Sequence, residues 1–193
     1  MRHKQFLTEQ GVLEDSFRLG VQIFNSGFRP TFIIGLWRGG STVGIYVQEC
    51  LQTLGIKTDH IAIRTSYEGL SDYNETIDHP DRKIHVHGTQ YLLENLNTDD
   101  NLLIVDDVFS TGMNIQSVIK RLESRLKRNM PNHVKVATLW YKPRLRRTKK
   151  VPDYFEHETE NWLVLPYELT GLSDAELKEN KTHAFQLLNY HAN

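Results

Sequence analysis

Asn101-Leu102-Leu103-Ile104-Val105-Asp106-Asp107-Val108-Phe109-Ser110-Thr111-Gly112-Met113-Asn114 decides the fold of this chain. Leu102 to Val105 is a short apolar run, the composition of a strand buried on both faces of a parallel sheet. It stops at two carboxylates, turns through Thr111-Gly112 and enters a helical pattern from about Met113 to Arg128. In such a fold, ligands bind beyond the carboxyl ends of the strands. Backbone amides of the turn and of the next helix would face an anion there, and Gly112 permits close approach. Ser110 and Thr111 add hydroxyl donors. Carboxylates beside an anion would repel it, so Asp106 and Asp107 need another task, such as binding sugar hydroxyls or a metal. A strand end whose Asp residues only cap a helix is the alternative.

Outward from this stretch, strands and helices alternate. Thr31 to Leu36 is another buried strand, ending at Trp37-Arg38-Gly39-Gly40, after which Ser41 can cap a helix running to about Leu54. Lys57 to Ser66 reads as a further strand. Upstream, Phe6 to Ser26 places Leu13, Phe17, Val21 and Phe24 at helical spacing, which predicts that this face lies on the core. Ser66 to Gly88 is rich in Gly, Ser, Asp, Asn, Pro and His with little periodicity, and a loop this long inside a compact domain is usually functional. Beyond the central stretch come a strand from Val134 to Tyr141, an exposed basic loop from Pro143 to Lys150, and a late strand at Trp162 to Leu165. Ser173 to Glu176 is a capping box that starts a last helix. The alternation predicts an α/β fold: a mainly parallel twisted sheet flanked by helices. A single domain should span residues 1–193, with a small C-terminal hood over about 150–193.

Bulk composition agrees. The 193 residues are 39% hydrophobic and 24% charged, ordinary for a globular domain. A formal net charge of -1 offers nothing to attract nucleic acid. The single cysteine, Cys50, rules out an intramolecular disulfide and suits a reducing cytoplasm. It sits on an apolar helix face, expected to be buried and inert. No apolar run reaches the length of a membrane span, and the polar start does not read as a signal peptide. His85-Val86-His87 puts two imidazoles on one strand face, but without a nearby Cys or carboxylate cluster it reads as surface rather than as a metal site.

The stretch Val105 to Gly112 resembles the PRPP-binding (phosphoribosyl pyrophosphate) motif of the type I phosphoribosyltransferases. That resemblance implies catalytic roles for Asp106, Asp107 and Arg38. Asp106 and Asp107 would face the ribose hydroxyls, and Phe109, Ser110, Thr111, Gly112, Met113 and Asn114 would cradle the 5′-phosphate. Magnesium is implied as counter-ion of the pyrophosphate. Leu36 to Gly40 is similar to the pyrophosphate loop of the 6-oxopurine branch, where Arg38, Gly39 and Gly40 would bind the leaving group and the Trp37–Arg38 peptide is a candidate cis bond. Ser66-Tyr67 opens the irregular loop as a Ser-Tyr pair opens the family's lid, whose closure keeps water from the reacting carbon. Lys142 stands where the family places a lysine that donates to the purine 6-oxo group, and Arg146 matches an arginine that reaches pyrophosphate.

Trp162-Leu163-Val164-Leu165-Pro166-Tyr167-Glu168 resembles the hood of the xanthine-guanine enzymes. Trp162 would stack on the purine, Leu163 would read the ring edge through its backbone, and Glu168 would join Asp106 and Asp107 in holding metal. The implied reaction transfers the 5-phosphoribosyl group from PRPP to xanthine, guanine or hypoxanthine, in purine salvage. The implied enzyme is a cytoplasmic homo-oligomer, dimer or tetramer, with no nucleic-acid or membrane partner. One departure matters. The family commonly carries an Asp three residues after the acidic pair, thought to act as base toward the purine, and this chain has Ser110. The enzyme would then use Asp107 or water instead, prefer a more acidic purine such as xanthine, or be a PRPP-binding regulator with little turnover; a transferase for another base is a separate alternative.

Overall fold

Burial on both faces is what Leu102 to Val105 requires, and in the computed structural model all four side chains are fully inaccessible at the middle of a six-stranded sheet. The structure describes residues 4–67 and 84–190. In chain order the elements are β1 (Lys4–Phe6), α1 (Glu9–Asn25), β2 (Phe32–Trp37), α2 (Gly39–Thr53), β3 (Asp59–Tyr67), β4 (Ile84–His87), α3 (Gln90–Asn95), β5 (Asn101–Phe109), α4 (Met113–Leu126), β6 (His133–Tyr141), β7 (Tyr154–Glu158), β8 (Trp162–Val164), α5 (Asp174–Asn180) and α6 (Thr182–Tyr190). They divide between two units, residues 12–160 and residues 1–11 with 161–193.

The larger unit carries the sheet in the order β4-β3-β2-β5-β6-β7, parallel throughout except for the β3–β4 pair. Ile34, Leu36, Leu102, Ile104 and Val136 pack with Leu92 of α3 and with Ile115, Val118 and Leu122 of α4. Alternate residues of the same strands (Ile33, Leu103, Val105, Ala137, Leu139) turn to the opposite face, where α1 and α2 bury Leu19, Ile23, Val43, Val47 and Leu51. The architecture is the parallel α/β sheet that the alternation predicts.

Several details differ from the sequence reading. The buried stripe of α1 is Val12, Asp15, Ser16, Leu19, Gly20 and Ile23, while Phe17 and Val21 are exposed. Polar groups on the buried stripe are satisfied locally: Ser16 Oγ donates to the Val12 carbonyl at 2.6 Å, and Asp15 pairs with Arg18 and with His157 Nε2 at 2.8 Å. Ser41 does not cap α2. The cap position is Arg38, without a side-chain hydrogen bond, and Ser41 lies in the first turn. Part of the expected loop after Ser66 is regular, because β4 pairs Ser66 with His85 and Thr65 with Val86. His85 and His87 are exposed on one face of β4, as read. Residues 68–83 of the expected lid lie outside the described residues. Cys50 is half-buried rather than buried, with its thiol pushed up by burial.

The smaller unit is residues 1–11 with 161–193, compared with the hood expected over about 150–193. β7 is the edge strand of the main sheet, so the separate unit begins at 161 and recruits the N-terminus. β1 pairs in parallel with β8, Lys4 opposite Trp162, Gln5 opposite Leu163 and Phe6 opposite Val164. The capping box is present: Ser173 Oγ accepts from the Glu176 amide at 3.3 Å and Glu176 Oε2 accepts from the Ser173 amide at 2.9 Å. Lys4 Nζ reaches Glu176 Oε1 at 2.7 Å.

Candidate active site

The strand order sets the location. From β2 the chain steps to β3 on one side, and β5 follows on the other. The loops after β2 and β5 therefore diverge at their carboxyl ends, and such a switch point is where an open α/β sheet takes its ligand. Arg38 to Ser41 and Ser110 to Asn114 are those two loops.

Each loop leads into a helix whose N-cap residue makes no side-chain cap hydrogen bond, and the positive end of a helix attracts an anion. The Trp37–Arg38 peptide is cis, as anticipated. Gly40 lets α2 lie directly on the end of β5: a Cβ there would stand 2.6 Å from the Val105 carbonyl oxygen and 2.8 Å from Asp106 Cα. Gly112 caps α4 in the left-handed region (φ 77°), with its Cα packed so closely that a Cβ would meet Thr148 Oγ1 at 2.4 Å. Thr111 Oγ1 accepts from the Met113 amide at 3.3 Å, which closes the turn.

Between the two loops stand the carboxylates. Asp106 Oδ1 accepts from the Asp107 amide at 3.0 Å, and Asp107 Oδ1 accepts from the Val108 amide at 2.8 Å. Burial, and then the charge of Asp107, pushes the Asp106 carboxyl well above the usual carboxylate range. Thr138 of β6, fully buried, donates its hydroxyl to the Asp107 carbonyl at 3.0 Å and so fixes the strand end from below. Phe109 faces away from the site. Its ring is buried edge-on to Tyr141 at 5.7 Å, so this position offers a ligand backbone only.

The segment after β6 is more than an exposed loop. Lys142 donates its amide to the Phe109 carbonyl at 2.9 Å, the Arg147 amide donates to the Thr111 carbonyl at 3.0 Å, and Thr148 is buried. Residues 142–148 thus strap the loop after β5 and bring Lys142 and Arg146 to the same sheet edge. The Arg146 guanidinium donates to the Thr148 carbonyl. Arg144, Arg147 and Lys149 are exposed, the solvated face expected of them. The strap acts through backbone groups and one threonine, features that carry no motif. Ser66 lies one residue before the end of β3 at Tyr67, with its Oγ 2.8 Å from His87 Nε2.

Trp162, Leu163 and Glu168 belong to the smaller unit. Trp162 is half-exposed at the start of β8 and Leu163 is buried. Glu168 Oε2 accepts from the Leu165 amide at 2.9 Å, and Lys181 Nζ donates to the Leu165 and Pro166 carbonyls at 2.9 Å. The carboxylate expected on a metal therefore has a local task in its own turn. Among the described residues no three His, Cys, Asp or Glu side chains gather as a closed metal site. That suits magnesium, which is usually held by one or two carboxylates plus substrate phosphates, and Asp106 with Asp107 fits that donor set.

Residues 3–170 match the family model of the phosphoribosyl transferase domain. No curated protein matches the sequence at a significant level. Among solved structures, a purine phosphoribosyltransferase from Pyrococcus horikoshii is 27% identical, with a TM-score of 0.63 over 88% of this chain and 97% of its own. A hypothetical protein from Neisseria gonorrhoeae with bound ppGpp is 19% identical, with a TM-score of 0.68 over 95% and 98%. The Helicobacter pylori xanthine-guanine-hypoxanthine phosphoribosyltransferase is 19% identical, with a TM-score of 0.63 over 94% and 100%. The last two likenesses are of fold.

Proposed function

We propose that this chain, which belongs to the phosphoribosyl transferase domain family, transfers the phosphoribosyl group of PRPP to a 6-oxopurine (xanthine, guanine or hypoxanthine). The observation that carries this reading is the pairing of two glycine-bearing helix starts across the β2–β5 switch point, with Asp106 and Asp107 between them. Two anion cradles flanking an acidic pair suit a substrate with a phosphate at one end, a pyrophosphate at the other and sugar hydroxyls in the middle.

In this reading Ser110 to Asn114 bind the 5′-phosphate, and Arg38, Gly39, Gly40 and Arg146 bind the pyrophosphate. Asp106 and Asp107 take the ribose hydroxyls and would hold the magnesium, which neutralises pyrophosphate as it leaves. The C1′–oxygen bond to pyrophosphate breaks, a bond from C1′ to a purine nitrogen forms, and the purine gives up a proton. Lys142 offers only donors and so favours a 6-oxo group over the 6-amino group of adenine. Trp162 stacks on the base, Leu163 reads its edge, and Ser66-Tyr67 begin the lid. Glu168, whose carboxylate accepts from the Leu165 amide, is the carboxylate this reading adds to Asp106 and Asp107 for the magnesium. The product nucleoside monophosphate enters purine salvage, and the single reduced cysteine supports a cytoplasmic setting. We expect the enzyme to work as a homo-oligomer.

Ser110 is the feature that sets this chain apart, since a serine hydroxyl is no base near neutral pH. Purines that lose their own proton readily should then turn over fastest. The test is one assay: PRPP and magnesium with hypoxanthine, guanine, xanthine, adenine and uracil, following pyrophosphate release. Xanthine is expected to outpace hypoxanthine at neutral pH, with adenine and uracil slowest. Turnover of adenine or uracil above every oxopurine would sink the substrate assignment. PRPP binding without turnover of any base would make the site a sensor.

A further inference from the structure

Beneath the first turn of α2 lie two buried polar atoms that find no hydrogen-bond partner among the described residues, Ser41 Oγ and His60 Nε2. Both face Gly35. A Cβ built on that glycine would stand 2.9 Å from Ser41 Cα and 3.0 Å from His60 Nε2, and one built on Gly44 would stand 2.9 Å from the same nitrogen. Two glycines, one on β2 and one on α2, thus make room for the imidazole directly under the turn that follows Arg38.

Which way the imidazole is protonated follows from its other contact. Gln48 Nε2 donates to the Thr58 carbonyl at 3.0 Å, so its amide oxygen faces His60 Nδ1, 3.1 Å away. An amide oxygen only accepts, so Nδ1 carries the proton and Nε2 presents a lone pair. Burial pushes the imidazole below its ordinary range, against the opposing charge of Asp59, and keeps it neutral. The serine hydroxyl is a donor and Nε2 an acceptor, and leaving both unmade under a ligand loop is costly.

We propose that His60 is a positioning residue of the pyrophosphate loop: its Nε2 accepts a hydrogen bond from the Ser41 hydroxyl when pyrophosphate occupies the first turn of α2. The pair then fixes the loop from the side opposite the ligand. This rests on the reading of Arg38 to Gly40 as the pyrophosphate loop.

The test uses the whole chain labelled with 15N-histidine. Long-range proton–nitrogen correlation should show His60 Nε2 as an unprotonated nitrogen in the free protein, moving upfield on addition of magnesium pyrophosphate. Ser41→Ala should abolish that movement. In kinetics, His60→Phe should raise the KM for PRPP about tenfold and leave the KM for the purine unchanged. His60→Gln, whose amide oxygen can stand where Nε2 stands, should restore most of the loss. A general packing role would move both KM values together and would not be rescued by Gln. Calorimetric binding of pyrophosphate with an unmoved Nε2 overturns the proposal and leaves the functional reading intact. Absence of any pyrophosphate binding overturns the loop assignment, and the proposal with it.

Discussion

The Asp106 carboxyl is pushed up by burial and by Asp107 beside it, so a ligand that brings hydroxyl or cationic partners relieves a desolvated group rather than adding to its burden. Replacing both residues with Asn keeps the shape and removes the charge. Magnesium-PRPP affinity measured by calorimetry should fall at least ~100-fold, about two lost charge-assisted contacts, while circular dichroism stays that of the folded protein. Unchanged affinity would remove the acidic pair from the site. Lys142 makes a different forecast. Lys142→Gln supplies both a donor and an acceptor, so oxopurines should lose ~1–3 kcal/mol while adenine improves relative to them. Equal losses for all bases would place Lys142 outside the base pocket. Residues such as these can be proposed from sequence because the chemistry proposed for them lies in their side chains. Thr138 and the Arg147 amide were not legible, since each holds a backbone group of the loop, and neither was Thr148, which packs against Gly112.

Helices and strands were legible where one pattern dominated. β2, β5 and β6 are runs buried on both faces, and hydrophobicity alone marks them. On α1 two stripes compete, and the buried one includes Asp15, Ser16 and Gly20. Pairing with His157, a back-bond to Val12 and close approach to Cys50 make those residues acceptable inside, and neither His157 nor Cys50 is near enough in sequence to be read in advance. The junction of β6 with β7 shows how such polar knots set register. Asp153 accepts from Lys135 Nζ, Lys150 Nζ and the Val136 amide, each at 2.9 Å. Burial pushes its carboxyl up, but these donors prevail and hold it below the usual range. A depressed folded value means the stabilisation is fully present above the unfolded value, about pH 4, and is lost as pH falls through the folded one. Asp153→Asn should therefore cost about 1–3 kcal/mol at pH 7 in urea unfolding. The gap from wild type should shrink below pH 4, and a constant gap down to pH 2 would show that the charge contributes nothing.

At the scale of the molecule, the two units make separable demands. Arg38 to Ser41, Asp106 to Asn114 and the strap from Lys142 all belong to residues 12–160, and Trp162 and Leu163 do not. A fragment of residues 9–160, which keeps α1 whole, should therefore bind magnesium-PRPP in calorimetry yet show no transfer to any purine. Transfer by the fragment would remove the hood from the reaction. The hood itself was only half legible. Its capping box and the Trp162 strand are local patterns, but β1 is three residues long and its partner lies at the far end of the chain. That pairing also sets a schedule. During synthesis Lys4 to Phe6 leave the ribosome well before the strand that will hold them, which lies more than 150 residues further on. At ordinary elongation rates the wait is on the order of ten to thirty seconds. For that interval the nascent chain carries a short sticky edge with nothing to join, while the larger unit assembles behind it.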